Sequence, residues 1–344
     1  MMLQVENLSV SFKGGGRGKN NVTRAVRDVS FEVRQGETLG LVGESGCGKS
    51  SLARTLMLLN RPAAGRVLIE GEDIHQATRS ERKHLRRNIQ MVFQDPAGSM
   101  NPRMTVGSLI TEPLTVHGFP RTARLGRLHA LLDDVGLPRS VEGRFPHELS
   151  GGQLQRASIA RALAVEPKIL VADEPVSALD VSVQVQIINL LMDLQKERNL
   201  TYVFISHDLA VVSQVSDRVA VMYLGEIVEI ATTDDIFDRS EHPYTRSLLS
   251  AVAVPDPVKE RTRERIVLTG DIQSAASSPG GCQFHTRCWL RQQLDNPERC
   301  ITDSPKLQAD GEEHRVACHF SDVFSDESLR TRLISQASHQ PVVG

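Results

Sequence analysis

The chain has 344 residues, room for two or three compact units. Lys and Arg number 40 against 42 Asp and Glu, a formal net charge of −2, which argues against a dedicated nucleic-acid binder. Hydrophobic residues make up 40% and aromatic residues only 4%, so a sizeable core fits the composition and a base-stacking single-strand binder does not.

No apolar run approaches the ~18 residues that a membrane-spanning helix needs. The start, Met1-Met2-Leu3-Gln4-Val5-Glu6, lacks the basic head and long apolar stretch of a secretion signal. The expectation is a cytoplasmic protein that acts at a membrane only by docking to partners that span it.

In chain order, Leu3 to Phe12 reads as a strand, and Gly14 to Asn21 as a polar, glycine-rich turn or flexible loop. Val29, Phe31 and Val33 alternate with Ser30 and Glu32, the period of a half-buried strand. Leu39 to Val42 is a short apolar strand that runs into glycine-rich sequence, and Val67 to Glu70 is another strand. From about 95 to 160 the chain is broken by Pro96, Pro102, Pro113, Pro120, Pro138 and Pro146, with helical stretches such as Leu125 to Val135 between them. This predicts a mostly helical insertion. Ile169 to Ala172, Tyr202 to Ile205 and Val219 to Met222 are continuous apolar runs, the mark of buried strands. Ile187, Leu190, Leu191 and Leu194 recur at helical spacing between the first two. Strands alternating with helices predict an α/β fold with a largely parallel core sheet. Beyond about 240 prolines interrupt the pattern, which marks a separate accessory region, and the tail after 321 is polar and expected to be poorly ordered.

Gly43-Glu44-Ser45-Gly46-Cys47-Gly48-Lys49-Ser50 fits G-x-x-x-x-G-K-S, and it lies between the strand Leu39 to Val42 and an expected helix, Ser51 to Leu59. Glycines let the backbone curl so that successive N–H groups face phosphate oxygens, and the helix start adds positive potential. Lys49 is expected to reach the β- and γ-phosphates and the Ser50 hydroxyl to hold Mg²⁺. The strand Ile169 to Ala172 ends in Asp173 and Glu174, which places Asp173 beside the metal and Glu174 where it can orient or deprotonate a water. Leu149-Ser150-Gly151-Gly152-Gln153 offers a capping serine and two glycines at a helix start, a second anion site that suggests two chains share each nucleotide.

In this order the motifs resemble those of the nucleotide-binding subunit of an ABC transporter, over nearly all of residues 1–240. Gly43 to Ser50 resembles the Walker A motif, with Ser51 following it. Gln94 in Val92-Phe93-Gln94-Asp95-Pro96 resembles the Q-loop, which implies a part in ATP and Mg²⁺ binding. Leu149 to Gln153 resembles the signature motif, which implies contact with the partner chain's ATP. Asp173-Glu174 resembles Walker B, Ser177 to Asp180 the D-loop, and His207 in Ser206-His207-Asp208 the switch histidine. Phe12 stands where the family keeps an aromatic that stacks on adenine; the alternative is a plain core Phe at a strand end.

The resemblance extends to the oligopeptide/dipeptide importer branch. Phe93 to Pro96 followed by Ser99 to Val106 is similar to that branch's extended Q-loop sequence, with Met100 where Leu is more usual. His242-Pro243-Tyr244-Thr245 resembles its C-terminal entry motif, and Gly281 to Cys288 with Val316 to His319 its cysteine-bearing tail, with Trp289 where Pro is commoner. The implied layout is an ATPase domain over 1–240 holding a parallel-sheet core, an antiparallel β subdomain and a helical subdomain. A cysteine-bearing C-terminal region over 241–320 and a polar tail over 321–344 follow.

The implied function is ATP hydrolysis that drives import of di- or oligopeptides; nickel complexes, opines, glutathione and sugars are alternative cargoes. The implied partners are two membrane-spanning permease subunits, a second related ATPase chain or another copy, and indirectly an extracytoplasmic solute-binding protein, at the cytoplasmic face of the inner membrane. A soluble, non-transport ABC ATPase is the rival reading. One copy of each motif and the absence of long heptads weigh against its ribosome and chromosome types.

Cys47 stands apart, whereas Cys282, Cys288, Cys300 and Cys318 gather near the C-terminus. Their spacing matches neither a ferredoxin run nor a zinc finger. Four thiolates suit a [4Fe–4S] cluster or zinc, and buried unliganded thiols are the third reading. His285, His314 and His319 are candidate substitute ligands. Some members of the resembling branch hold an iron–sulfur cluster in this region.

Overall fold

The computed structural model describes residues 1–13, 22–252, 265–268, 280–309, 313–324 and 333–334. The loop expected at Gly14 to Asn21 and most of the expected tail lie outside the described residues. The strands are β1 (Leu3–Lys13), β2 (Val22–Val33), β3 (Thr38–Val42), β4 (Ala64–Ile69), β5 (Glu72–Asp73), β6 (Ile89–Val92), β7 (Ile169–Asp173), β8 (Thr201–Ser206), β9 (Arg218–Tyr223), β10 (Glu226–Thr232), β11 (Gln308–Ala309) and β12 (Arg315–Val316). The helices used below are α1 (Lys49–Leu56), α2 (Arg79–Asn88), α3 (Pro96–Ser99), α4 (Val106–Val116), α5 (Arg121–Asp134), α6 (Gly151–Leu163), α7 (Val181–Arg198), α8 (Leu209–Val215), α9 (Thr233–Arg239), α10 (Pro243–Ala251) and α11 (Trp289–Gln293). Among the described residues no helix is long and apolar enough to cross a membrane.

The chain forms two interleaved units. The first comprises Met1–Leu8, Ser30–Gly40 and Ser50–Ser206. Its core is a parallel ladder in which β6, β7 and β8 run side by side, Ile89 opposite Ile169 and Asp173 opposite Ile205. Every residue of β7 and β8 is buried, which is why Ile169 to Ala172 and Tyr202 to Ile205 read as unbroken apolar runs in the sequence. α4, α5 and α6 pack against one another, and Leu109, Ile110, Leu131 and Leu163 on them are buried. α7 starts on Asp180, whose carboxylate accepts the N–H of Val183 at 3.0 Å, and stops at Asn199 in the left-handed conformation, φ 50°. The first unit also holds the antiparallel pair β4 and β5, Leu68 opposite Asp73.

The second unit comprises Ser9–Val29, Leu41–Lys49 and His207–Gly344. β9 and β10 form an antiparallel hairpin through the turn at Leu224-Gly225, and β12 pairs with β10, Glu229 opposite Val316. β11 then pairs with β12. Trp289 is buried in this unit and its indole N–H donates to the Pro243 carbonyl at 3.0 Å. Tyr223, Tyr244 and Phe284 meet as an aromatic cluster with ring centroids 4.7 to 5.4 Å apart.

Candidate functional site

The loop Gly43–Gly48 leaves β3 and ends where α1 begins, at Lys49. The helix therefore starts two residues before its expected position and ends at Leu56 rather than Leu59. Gly48 has φ +111°, and a Cβ there would lie 2.1 Å from the Ala25 carbonyl oxygen, so the loop can close only with glycine at this place. A Cβ on Gly43 would lie 2.2 Å from the Met222 carbonyl oxygen. Lys49 is buried and curls back onto its own loop, its ammonium donating to the carbonyls of Gly43 at 2.6 Å and Glu44 at 3.0 Å. The Cys47 carbonyl accepts the N–H of Gly225 at 2.8 Å, which ties the loop to the β9–β10 turn. Burial pushes the Cys47 thiol up, against the pull of nearby Lys49, so this cysteine is a packed thiol inside the loop. Ser45, Gly46 and Ser50 are exposed and Ser51 is half-buried.

Two residues from the far end of the chain hold Glu44. The Tyr244 hydroxyl accepts its N–H at 3.0 Å, and Arg287 donates two hydrogen bonds to its carboxylate. Both residues lie inside sequence motifs that assign neither of them a role. They lie 200 and 243 positions from Glu44, and no periodicity signals such a pairing.

In the first unit, Asp173 ends β7 as a buried carboxylate. Glu174 follows in the left-handed region, φ 46°, with its N–H donated to the Ile205 carbonyl at 2.9 Å. That conformation is unfavourable for a non-glycine residue by roughly 1–3 kcal/mol, and such strain gathers at functional sites. The Glu174 carboxylate accepts a hydrogen bond from Gln94 Nε2 at 2.8 Å, so the structure brings these two expected site residues together. Ser150 caps α6 reciprocally with Gln153: the Gln153 N–H donates to Ser150 Oγ at 3.3 Å, and the Ser150 N–H donates to Gln153 Oε1 at 3.1 Å. Gly151 and Gly152 lie in the first turn of that helix. Ser150, Asp180 and His207 are all exposed. Phe12 is 41% exposed at the end of β1, so it is not a core aromatic.

All four C-terminal cysteines, Cys282, Cys288, Cys300 and Cys318, line one cavity of about 20 Å³, together with His285 and His319. They are free thiols, and burial raises each of them, Cys282 to about 11 and Cys318 to about 12. Among the described residues no three His, Cys, Asp or Glu side chains are placed to hold a metal ion. His314 lies elsewhere, its ring nitrogen 2.9 Å from the buried carboxylate of Glu229.

A G-x-x-x-x-G-K-S loop that joins a buried strand to a helix starting on its lysine makes this chain a phosphate-loop nucleotide-binding protein. Comparison with known proteins narrows the class. Residues 26–177 match the family model described as ABC transporter, and residues 228–294 match the oligopeptide/dipeptide transporter C-terminal region. The oligopeptide transport ATP-binding protein AppF of Bacillus subtilis is 50% identical over 298 residues, 86% of this chain and 89% of its own. The oligopeptide transport ATP-binding protein OppF of Haemophilus influenzae is 45% identical over 325 residues, 92% of this chain and 96% of its own. A dimeric post-hydrolysis structure of the ATP-binding cassette MJ0796, bound to ADP and Pi, superposes with a TM-score of 0.61 at 29% identity, covering 67% of this chain and 99% of that one. The chain belongs to the ABC transporter family, among the ATP-hydrolysing subunits of its oligopeptide/dipeptide branch.

Proposed function

We propose that this chain drives uptake of di- or oligopeptides by hydrolysing ATP at the cytoplasmic face of the inner membrane. The names of its relatives and the C-terminal family match support the cargo class. Catalysis falls to residues 1–240, and 241–320 serves as an accessory region. The amides of Gly43 to Ser51 receive the phosphates, Lys49 leaves its own loop carbonyls to bind the β- and γ-phosphates, and exposed Phe12 stacks on adenine. Mg²⁺ supplies neutralisation of the charge that develops on the transferred phosphoryl oxygens. Its proposed holders, Ser50, Gln94 and Asp173, are oxygen donors that all belong to the first unit, which suits a hard cation. Glu174, oriented by Gln94, takes a proton from the attacking water, and His207 is the switch histidine.

The exposed, capped helix start at Ser150, Gly151, Gly152 and Gln153 receives the γ-phosphate of a partner ATPase chain, and Asp180 faces that partner. The dimeric relative supports this arrangement. The partner is a second, related ATPase or another copy. Two membrane-spanning permeases, contacted through Gln94 to Val106, and an extracytoplasmic binding protein complete the machine.

The observation that carries the catalytic assignment is Glu174 itself, held in a left-handed backbone conformation at the end of a buried strand and bonded to Gln94. Glu174→Gln is expected to bind ATP as the native chain does and to lose about 10²–10⁴-fold in turnover. Turnover near the native rate in the reconstituted transporter would remove Glu174 from this role.

We further infer that Cys282, Cys288, Cys300 and Cys318 hold a [4Fe–4S] cluster of structural character. What supports it is that four soft sulfur donors line a single cavity; among the described residues no three of them are placed to hold a metal and the cavity has room for about one water, so the sulfurs must move to admit the group. Bound there, the cluster would tie three separate stretches of a region with few long apolar runs, and its assembly must displace the four thiol protons. Anaerobically prepared protein is expected to contain iron and acid-labile sulfide, both lost when the four cysteines become serine. Zinc without sulfide, or no metal, would overturn the assignment.

A further inference from the structure

We propose that Arg287 is a positioning residue for nucleotide binding: it neutralises Glu44 and holds that carboxylate in place so that the loop can receive a polyphosphate. The proposal rests on Gly43 to Ser50 being the phosphate loop. Glu44 is the second residue of that loop, and a carboxylate there repels phosphate oxygens, strongly so where water is scarce. The structure provides the counter-charge. Arg287 Nη1 donates to Glu44 Oε2 at 2.9 Å and Nη2 to Oε1 at 3.2 Å, a two-pronged pair of fixed geometry. The arginine side chain is 6% exposed and the glutamate 21%, so salt screens the pair weakly. Among the described residues Arg287 is the cation paired with that carboxylate. Lys49 binds the backbone carbonyl of Glu44 and so remains the group that can turn to phosphate. Tyr244 fixes the same residue by its N–H, so both the backbone and the side chain of Glu44 are held by residues beyond 240.

Arg287 is itself placed by the accessory region. Its N–H donates to the Phe284 carbonyl at 3.0 Å, and it precedes Cys288, which caps α11 through its sulfur. On this reading the accessory region supplies a part of the nucleotide site that lies outside the Walker A, Q-loop, signature, Walker B, D-loop and switch-histidine motifs.

The test is a double-mutant cycle on the full chain, read as the dissociation constant of Mg-ATP by titration calorimetry. Arg287→Met in the native background is expected to weaken binding about tenfold, because Glu44 is left charged and unpaired. In a Glu44→Gln background the same change is expected to cost less than about twofold, a coupling of roughly 1 kcal/mol. Arg287→Lys, which keeps the charge and loses the fork, should fall between native and Arg287→Met. An equal loss in both backgrounds would show that Arg287 serves only the fold, and no loss in the native background would show that Glu44 does not oppose phosphate; either overturns the proposal. Should Arg287→Met fail to fold, Glu44→Asp decides instead. It keeps the charge but draws it back from the guanidinium, so it should weaken ATP binding similarly, and native affinity there would overturn the proposal. Failure of the native chain to bind Mg-ATP would instead refute the phosphate-loop assignment.

Discussion

Replacing Gly48 with alanine tests whether the loop's curl depends on bare backbone. Two costs add. At φ +111° an L side chain is strained, by roughly 1–2 kcal/mol. The new Cβ would also sit 2.1 Å from the Ala25 carbonyl oxygen and 2.9 Å from Met222 Cε. The methionine can swing aside. The carbonyl must travel about 1 Å, and forced displacements of this kind cost typically 1–3 kcal/mol. Ala25 lies on β2 two residues before Arg27, whose N–H donates to the Gly225 carbonyl at 2.8 Å, so the strand cannot shift freely. The sum is about 2–5 kcal/mol. Gly46 is the control: φ is +80°, but a Cβ there meets nothing within 4 Å, so Gly46→Ala should cost only about 1–2 kcal/mol. Trp289, the single tryptophan of the chain, is 3% exposed in the same unit and reports its unfolding by fluorescence. In urea without nucleotide, Gly48→Ala should unfold at clearly lower denaturant than Gly46→Ala. Coincident midpoints would refute the steric argument, since both variants carry a similar backbone strain and only one carries the clash.

Two further outcomes are expected. Ser150→Arg should leave single-chain ATP binding intact while abolishing ATP-dependent dimerisation in the slow Glu174→Gln background; a normal dimer by light scattering would contradict the shared site. Burial raises Glu226 to about 7, with nearby Arg27 pulling the other way, whereas in the unfolded chain it releases its proton near 4.5. The folded chain therefore binds more protons between those values, and the contribution of Glu226 to stability falls as pH rises from about 4.5 to 7. Glu226→Gln, which cannot ionise, should gain stability over the native chain above pH 7 relative to pH 4.5; a difference in unfolding midpoint that is flat with pH would refute this.

The parts of the fold that local pattern encodes were legible. Ile169 to Ala172 of β7 and Tyr202 to Ile205 of β8 are apolar because both faces are covered, and the phosphate loop carries its own strand and helix on either side. α2 was not legible: it is strongly basic and buries only Leu85, so it offers no helical stripe to count. Strands β11 and β12, two residues each, are too short for any period, and only pairing, β12 with β10 and β11 with β12, makes them strands. Of the candidate site, the groups within each motif could be named from sequence, and the Gln94–Glu174 hydrogen bond joins two of them. The hold on Glu44 could not, because hydrogen-bond partners 200 and 243 residues distant leave no trace in composition or spacing. Nor could sequence decide whether Phe12 was covered, since a strand end carries no mark of its neighbours.

The interleaving of the two units has a consequence for the order in which the protein is made. Ser206 completes the first unit, while the second, which owns the phosphate loop, still lacks everything from His207 onward. Arg287 emerges 243 residues after Glu44. At about 5–20 residues per second, that is a wait of roughly 12–50 s on the ribosome. During that interval the loop's glycines and lysine exist, but the turn at Gly225 reaches Cys47 late, and Tyr244 and Arg287 reach Glu44 later still. Competence to take up nucleotide is then acquired only once Arg287 has emerged, and a ribosome that stalls before that point leaves a chain whose ATP loop is written but not yet braced.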